Sequence, residues 1–212
     1  MKNETKEIYE TLFKRYPVLT DLKMEIRAAF EILKLSYSDG GKLLICGNGG
    51  SAADSEHIVG ELMKCFRKKR PLDETTVNKL SQYGEEGKVL SECLEGTLPA
   101  LTLTSHLALS TAFANDKEPS VTFAQQLLGL GNKKDVLLCL STSGNSKNCV
   151  YAAILAKVKR LKVLSFTGEK KSKLGKLSDV CIRVPETETF KIQELHLPIY
   201  HALCAMLEEE FF

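Results

Sequence analysis

Two short loops and two pairs of side chains at helical spacing carry most of the chemistry legible in this 212-residue chain. The first loop, Gly47-Asn48-Gly49-Gly50-Ser51, follows the apolar run KLLIC (42–46) and precedes a helical pattern. Its three glycines let the backbone approach a ligand, and a helix start offers N–H groups with no partner in their own helix. The second loop, Ser141-Thr142-Ser143-Gly144-Asn145-Ser146, follows DVLLCL (135–140), again before a helical pattern. Four hydroxyls in six residues, next to the amides of a helix start, suit a phosphate monoester held by neutral donors and a helix dipole. Turns and N-caps also favour Ser and Thr, which accounts for one such residue more easily than for four closing a buried strand. Neither loop has the lysine of a P-loop. Gly47-x-Gly49-x-x-Ala52 fits a loose dinucleotide pattern, but about 20 residues on, where a ribose-binding carboxylate should end a strand, stands Arg67-Lys68-Lys69-Arg70. That argues against a nucleotide cofactor.

His57 and Glu61 lie four residues apart on the helix that opens at Ser51, so they share one face and can share a metal or a substrate. Gln193 and His201 are eight residues apart near the C-terminus, again one stripe of a helix, with Pro198 between them as a kink. A lone His and Glu at this spacing is usually a surface ion pair. The weight therefore rests on the four residues together.

Alternating short elements must position these groups. Ile8 and Leu12, then Leu22, Ile26, Phe30 and Leu33, recur at helical spacing over 4–37, broken at Pro17 and ended by Asp39-Gly40-Gly41. KLLIC is followed by a helical pattern over 52–66, PALTL (99–103) by one over 105–113, and DVLLCL by one over 146–159. KVLSF (162–166), a short helical stretch at 171–177, VCIRV (180–184) and a helix over 190–211 complete the alternation. Short, continuously apolar strands alternating with helices predict a three-layer αβα sandwich with a mostly parallel five-stranded sheet behind an N-terminal helical segment, 1–38. Residues 67–98 fall outside the alternation. They are expected as a polar insertion in a single domain, helical over 74–82 and 86–95, with the RKKR run as a solvated helix end.

Composition sets the outer limits. Hydrophobic residues make up 43% and charged residues 26%, which argues against disorder, and a net charge of +2 gives no case for a nucleic-acid surface. No apolar window reaches the length of a membrane span, the start MKNETKEIYE lacks a secretory core, and the expected location is the cytoplasm. Seven cysteines without a CxxC pair read as reduced, structural thiols.

CGNGGSAADSEHIVGEL, STSGNS and KIQELHLPIYH resemble three motifs of the sugar isomerase (SIS) domain family, in particular its phosphoheptose isomerase branch. The resemblance covers roughly 30–66 and 99–210. It implies interconversion of sedoheptulose 7-phosphate and glycero-manno-heptose 7-phosphate. It also implies a zinc ion on His57, Glu61, Gln193 and His201, with Glu61 and His201 as the acid/base pair. Asn48, Gly49, Gly50 and Ser51 match the substrate loop, and Ser141, Thr142, Ser143 and Ser146 the phosphate loop, with Gln193 also facing substrate. Asn115 and Asp116 match a pair in that branch to which no chemistry is assigned. A homotetramer with shared active sites is implied as well. The chain departs from the branch at Ser105-His106 and at Phe190, where aspartates are expected, and in the 67–98 stretch. His106 could reach the site from a strand end, and His196 is expected in packing. The alternative reading is a non-catalytic relative that binds a protein partner or senses a phosphosugar; the presence of all four acid/base and ligand candidates favours the enzyme.

Overall fold

The computed structural model describes residues 1–212. Helices α1 (Asn3–Arg15) and α2 (Lys23–Ser38) flank a 3-10 segment that begins at Pro17, where the pyrrolidine ring suits a first helical position. The alternating part runs β1 (Leu43–Cys46), α3 (Gly50–Met63), α4 (Glu74–Leu80), α5 (Gly84–Cys93), β2 (Ala100–Thr102), α6 (Leu107–Asp116), α7 (Thr122–Leu130) and β3 (Val136–Leu140). It ends with α8 (Lys147–Val158), β4 (Lys162–Thr167), α9 (Lys173–Leu177), β5 (Val180–Arg183) and α10 (Thr189–Phe211).

All five strands pair parallel, in the order β2-β1-β3-β4-β5. Successive residues of a strand face opposite ways, and the two cores divide accordingly. Leu43, Ile45, Val136 and Leu138 join α1, α2, α3 and α10 on one face, while Leu44, Cys46, Leu137 and Cys139 join α7, α8 and α9 on the other. This is the expected αβα sandwich, with the sheet parallel throughout.

The chain leaves β1 first towards β2 and later returns on its other side as β3, so the strand order reverses between β1 and β3. Ligands of open α/β sheets bind beyond the strand ends at such a reversal. The loops that leave β1 and β3 are the glycine loop and the hydroxyl loop.

Helix α7 was not anticipated. Its buried Phe123, Gln126 and Leu127 have helical spacing, but a polar residue on that stripe and only nine residues of length hide the pattern. The 67–98 stretch carries α4 and α5 close to where they were expected. Its RKKR run is not simply a solvated end: Arg70 is 1% exposed. The Arg70 Nε donates to Glu208 Oε1 at 2.8 Å, and its terminal nitrogens donate to the carbonyls of Leu62 and Glu61. Glu208, fully buried, also accepts from the backbone amides of Phe66, Arg67 and Lys68. A guanidinium can be buried here because each of its nitrogens has an acceptor and both Glu208 oxygens have donors. No helix is long and apolar enough to cross a membrane. Cys46, Cys139, Cys149 and Cys204 are buried, whereas Cys93 is exposed.

Candidate active site

The reversal point holds a cavity of about 330 Å³. Asn48, Gly49, Gly50 and Ser51 line one side, Ser141, Thr142 and Ser146 another, and Thr189 and Gln193 a third. Three helices therefore begin at this cavity: α3 at Gly50, α8 just after Ser146 and α10 at Thr189. No lysine or arginine lines it. Free helix N–H groups, aligned dipoles and hydroxyls are the chemistry of an anion cradle without fixed positive charge. The glycine loop is tied across the reversal to the first turn of α8 by a reciprocal amide pair, Asn48 Nδ2 to Asn148 Oδ1 at 3.1 Å and Asn148 Nδ2 to Asn48 Oδ1 at 2.8 Å.

Two glycines are required for distinct reasons. Gly49 adopts φ +56°, a conformation that side chains resist. A Cβ on Gly50 would lie 2.7 Å from Gln193 Nε2, so the bare backbone there makes room for the Gln193 amide. Ser143, expected in the phosphate loop, is exposed, and its Oγ accepts from the Asn145 amide rather than lining the cavity. Thr189 was missed by sequence reasoning; its place one turn before Gln193 was the available signal.

Helices α3 and α10 run side by side in the same direction, because Gly50 meets Gln193 while His57, seven residues on, meets Tyr200 and His201. At 1.5 Å per residue, that places the second contact zone roughly 10 Å along both helices from the cradle. There, ligand atoms of His57, Glu61 and His201 all lie within 4.8 Å of one another. His57 Nε2 is 3.1 Å from Glu61 Oε1 and 3.5 Å from His201 Nε2. The His57 and His201 rings meet edge to face with centroids 4.9 Å apart. Burial, and then the neighbouring His57, hold His201 below the ordinary imidazole range, with Glu61 opposing.

The opposite ring nitrogen of His57, Nδ1, lies 3.0 Å from the hydroxyl of Tyr200, which also reaches Asp54 Oδ1 at 3.2 Å. Burial raises both the Tyr200 phenol and the Asp54 carboxyl above their usual values. Neither residue was singled out from the sequence.

The donor set suits a divalent cation. Two imidazole nitrogens and a carboxylate oxygen converge, and Glu61 Oε2 is buried with no hydrogen-bond partner. A carboxylate oxygen left in that state is costly unless a cation or substrate hydroxyl reaches it. Gln193 lies up-helix of this cluster, against Gly50 at the cavity wall.

Other candidates lie elsewhere. His106 Nδ1 pairs with Gln126 Oε1 at 2.7 Å, and Gln126 in turn donates to the Leu103 carbonyl, so His106 is held at the end of β2. Asn115 and Asp116 bond to each other at the end of α6. His196 is fully buried against Phe166, as its expected packing role requires, and desolvation lowers its pKa to about 4.

Two SIS domain family models match the chain, over residues 12–97 and 98–208. A phosphoheptose isomerase of Thermodesulfovibrio yellowstonii is 36% identical over 88% of this chain and 81% of its own length. One of Rhodospirillum rubrum is 34% identical over 99% of this chain and 98% of its own. Among solved structures, a phosphoheptose isomerase from Francisella tularensis superposes with a TM-score of 0.76 at 28% identity, covering 99% of this chain and 100% of that one. The Neisseria gonorrhoeae phosphoheptose isomerase gives 0.71 at 29% identity, with coverage of 97% and 94%. With relatives this similar over nearly its whole length, the chain belongs to the SIS domain family and, within it, to the phosphoheptose isomerases.

Proposed function

We propose that the chain interconverts a phosphorylated ketose and aldose, with sedoheptulose 7-phosphate as substrate. One observation carries the reading: an uncharged anion cradle and a Glu/His/His cluster are joined by the same two helices, roughly 10 Å apart. That separation suits a six- or seven-carbon chain anchored by its phosphate, with C1 and C2 at the cluster. Asn48, Gly49, Gly50 and Ser51 with Ser141, Thr142 and Ser146 form the substrate and phosphate loops of this reading, Ser143 shaping the turn through its bonds to Asn145. The relatives' names support the substrate class.

The reaction moves a proton between C1 and C2 through an enediol(ate). Glu61 takes that proton through a carboxylate whose Oε2 has no hydrogen-bond partner of its own. His201, across the cluster, moves protons at the two neighbouring oxygens. His57 orients the reacting end of the substrate and, with Glu61 and His201, offers a ligand set for zinc. Gln193, about two turns up α10 at the cavity wall, stands too far from that cluster to be its fourth ligand and faces the substrate from the cradle. When bound, zinc supplies Lewis-acid polarisation of the carbonyl and hydroxyl oxygens.

We also place the protein in the cytoplasm as a homotetramer with shared sites. The His57 side chain is 45% exposed in one chain, and a groove of about 520 Å³ between α1 and α10 opens beside His201, which leaves room for a neighbouring copy to close the site.

The test is proton-exchange NMR in deuterated water with C5–C7 phosphoketoses and phosphoaldoses. Exchange at C1 or C2 of sedoheptulose 7-phosphate is expected, lost in Glu61→Gln while phosphosugar binding persists. Exchange with no sugar in the panel would overturn the reading.

A further inference from the structure

The acid/base reading leaves Tyr200 and Asp54 unused, yet they form a part-buried hydrogen-bonded chain behind His57. Tyr200 is 1% exposed, and Asp54 Oδ2 is buried without a partner. Asp54 and His57 are three residues apart on α3, hence on one face, and Tyr200 precedes His201 on α10. One hydroxyl thus stands between a carboxylate and the Nδ1 face of a ring whose Nε2 faces Glu61 and His201.

The hydroxyl has one proton to donate. An ionised carboxylate can only accept, so the phenol proton goes to Asp54 Oδ1, and the phenol oxygen is left to accept from His57 Nδ1–H. The opposite arrangement, Tyr200 donating to Nδ1, would strip Asp54 of the one side-chain donor near it while its other oxygen is already orphaned. It would also put a proton on His57 Nε2, where a ligand needs a lone pair.

We propose that Asp54 and Tyr200 are positioning residues that fix His57 with its proton on Nδ1 and its Nε2 lone pair directed to the Glu61–His201 side, preparing it to bind a divalent cation. This rests on the zinc reading above. A carboxylate acting on a ligating imidazole usually bonds it directly; here a tyrosine is interposed, so orientation comes from α10 as well as α3. Outer partners of this kind fix the ring and raise the basicity of the ligating nitrogen.

The test measures zinc affinity of the full-length protein by competition with a chromophoric chelator. Wild type, Tyr200→Phe, Asp54→Asn, the double variant and His57→Ala are compared, with urea midpoints recorded for each. The wild type should bind one zinc per chain. Tyr200→Phe and Asp54→Asn should each weaken binding about 10–100-fold at near-unchanged urea midpoint. The double variant should bind about as weakly as Tyr200→Phe, because one chain of bonds is broken only once. In the zinc-loaded wild type, NMR should show a slowly exchanging His57 Nδ1–H proton that Tyr200→Phe loses. Wild-type affinity in Tyr200→Phe, or additive losses in the double variant, would overturn the inference while leaving the zinc reading intact. No zinc binding by the wild type would instead overturn the zinc reading on which it rests.

Discussion

Acidification should destabilise this protein through His196. The ring is fully buried, its Nδ1 has no partner, and its Nε2 reaches only the Thr167 carbonyl at 3.5 Å. Desolvation lowers its pKa from 6.5 to about 4. Folding therefore favours the neutral ring. That contribution is complete above the unfolded value of 6.5 and is lost as pH falls from 6.5 towards 4, at up to about 1.4 kcal/mol per pH unit. Over the whole window the loss is about 3 kcal/mol. The assay is urea unfolding at fixed protein concentration and with chelator present, between about pH 7.5 and 4, for wild type and His196→Leu. Leucine keeps the apolar contact but cannot titrate, so groups common to both proteins cancel in the difference. With a slope near ~2 kcal/mol per molar urea, the wild-type midpoint should fall by roughly 1.5 M more than that of the variant. Parallel midpoint curves would refute the claim that this imidazole is held neutral by burial.

Three further substitutions separate fold from site. Arg70→Met should cost about 3–5 kcal/mol, read by thermal unfolding, because Glu208 keeps a buried charge with only backbone donors. In that variant kcat should fall more than KM rises, since the lost bonds include the one to the Glu61 carbonyl. Gly50→Ala should leave the urea midpoint nearly unchanged, because what the new Cβ meets is the far end of the flexible Gln193 side chain. Its kcat/KM should nonetheless drop roughly tenfold or more, because the new methyl displaces the Gln193 amide. Ser146→Ala should reduce kcat/KM by about tenfold through the loss of one hydrogen bond to a charged phosphate, and should cost about 1 kcal/mol of stability through the lost 2.9 Å bond to the buried Ser141 hydroxyl, the side chain making no cap bond to α8.

Much of this architecture was legible because burial imposes a simple pattern on strands. After its first, polar residue each of KLLIC and DVLLCL is apolar at every step, and KVLSF departs only at Ser165, as suits strands covered on both faces; each became a strand of the parallel sheet. The pairing of His57 with Glu61 was legible from helical spacing alone. Its meeting with His201 was not, because sequence distance says nothing about α3 lying beside α10; only the resemblance supplied that link. Tyr200 was hidden for a related reason. In LPIYH it reads as one more apolar residue of a buried helix, and its hydroxyl acquires meaning only from Asp54 and His57 on the neighbouring element. Arg70 was misread because a basic run usually stays in water; here Glu208, 138 residues away in sequence, draws one member inside.

The parallel run of α3 and α10 has a consequence for selectivity. On the proposed reading, the anchor for the phosphate and the groups that act on carbon are fixed to the same two rigid rods, so the gap between them is set by peptide geometry and not by loop motion. The pair works as a length gauge. A shorter phosphosugar seated in the cradle would hold its carbonyl short of Glu61, and each missing carbon would widen the shortfall by about one bond length. Discrimination by chain length would then hold independently of which side chains read the sugar's hydroxyls.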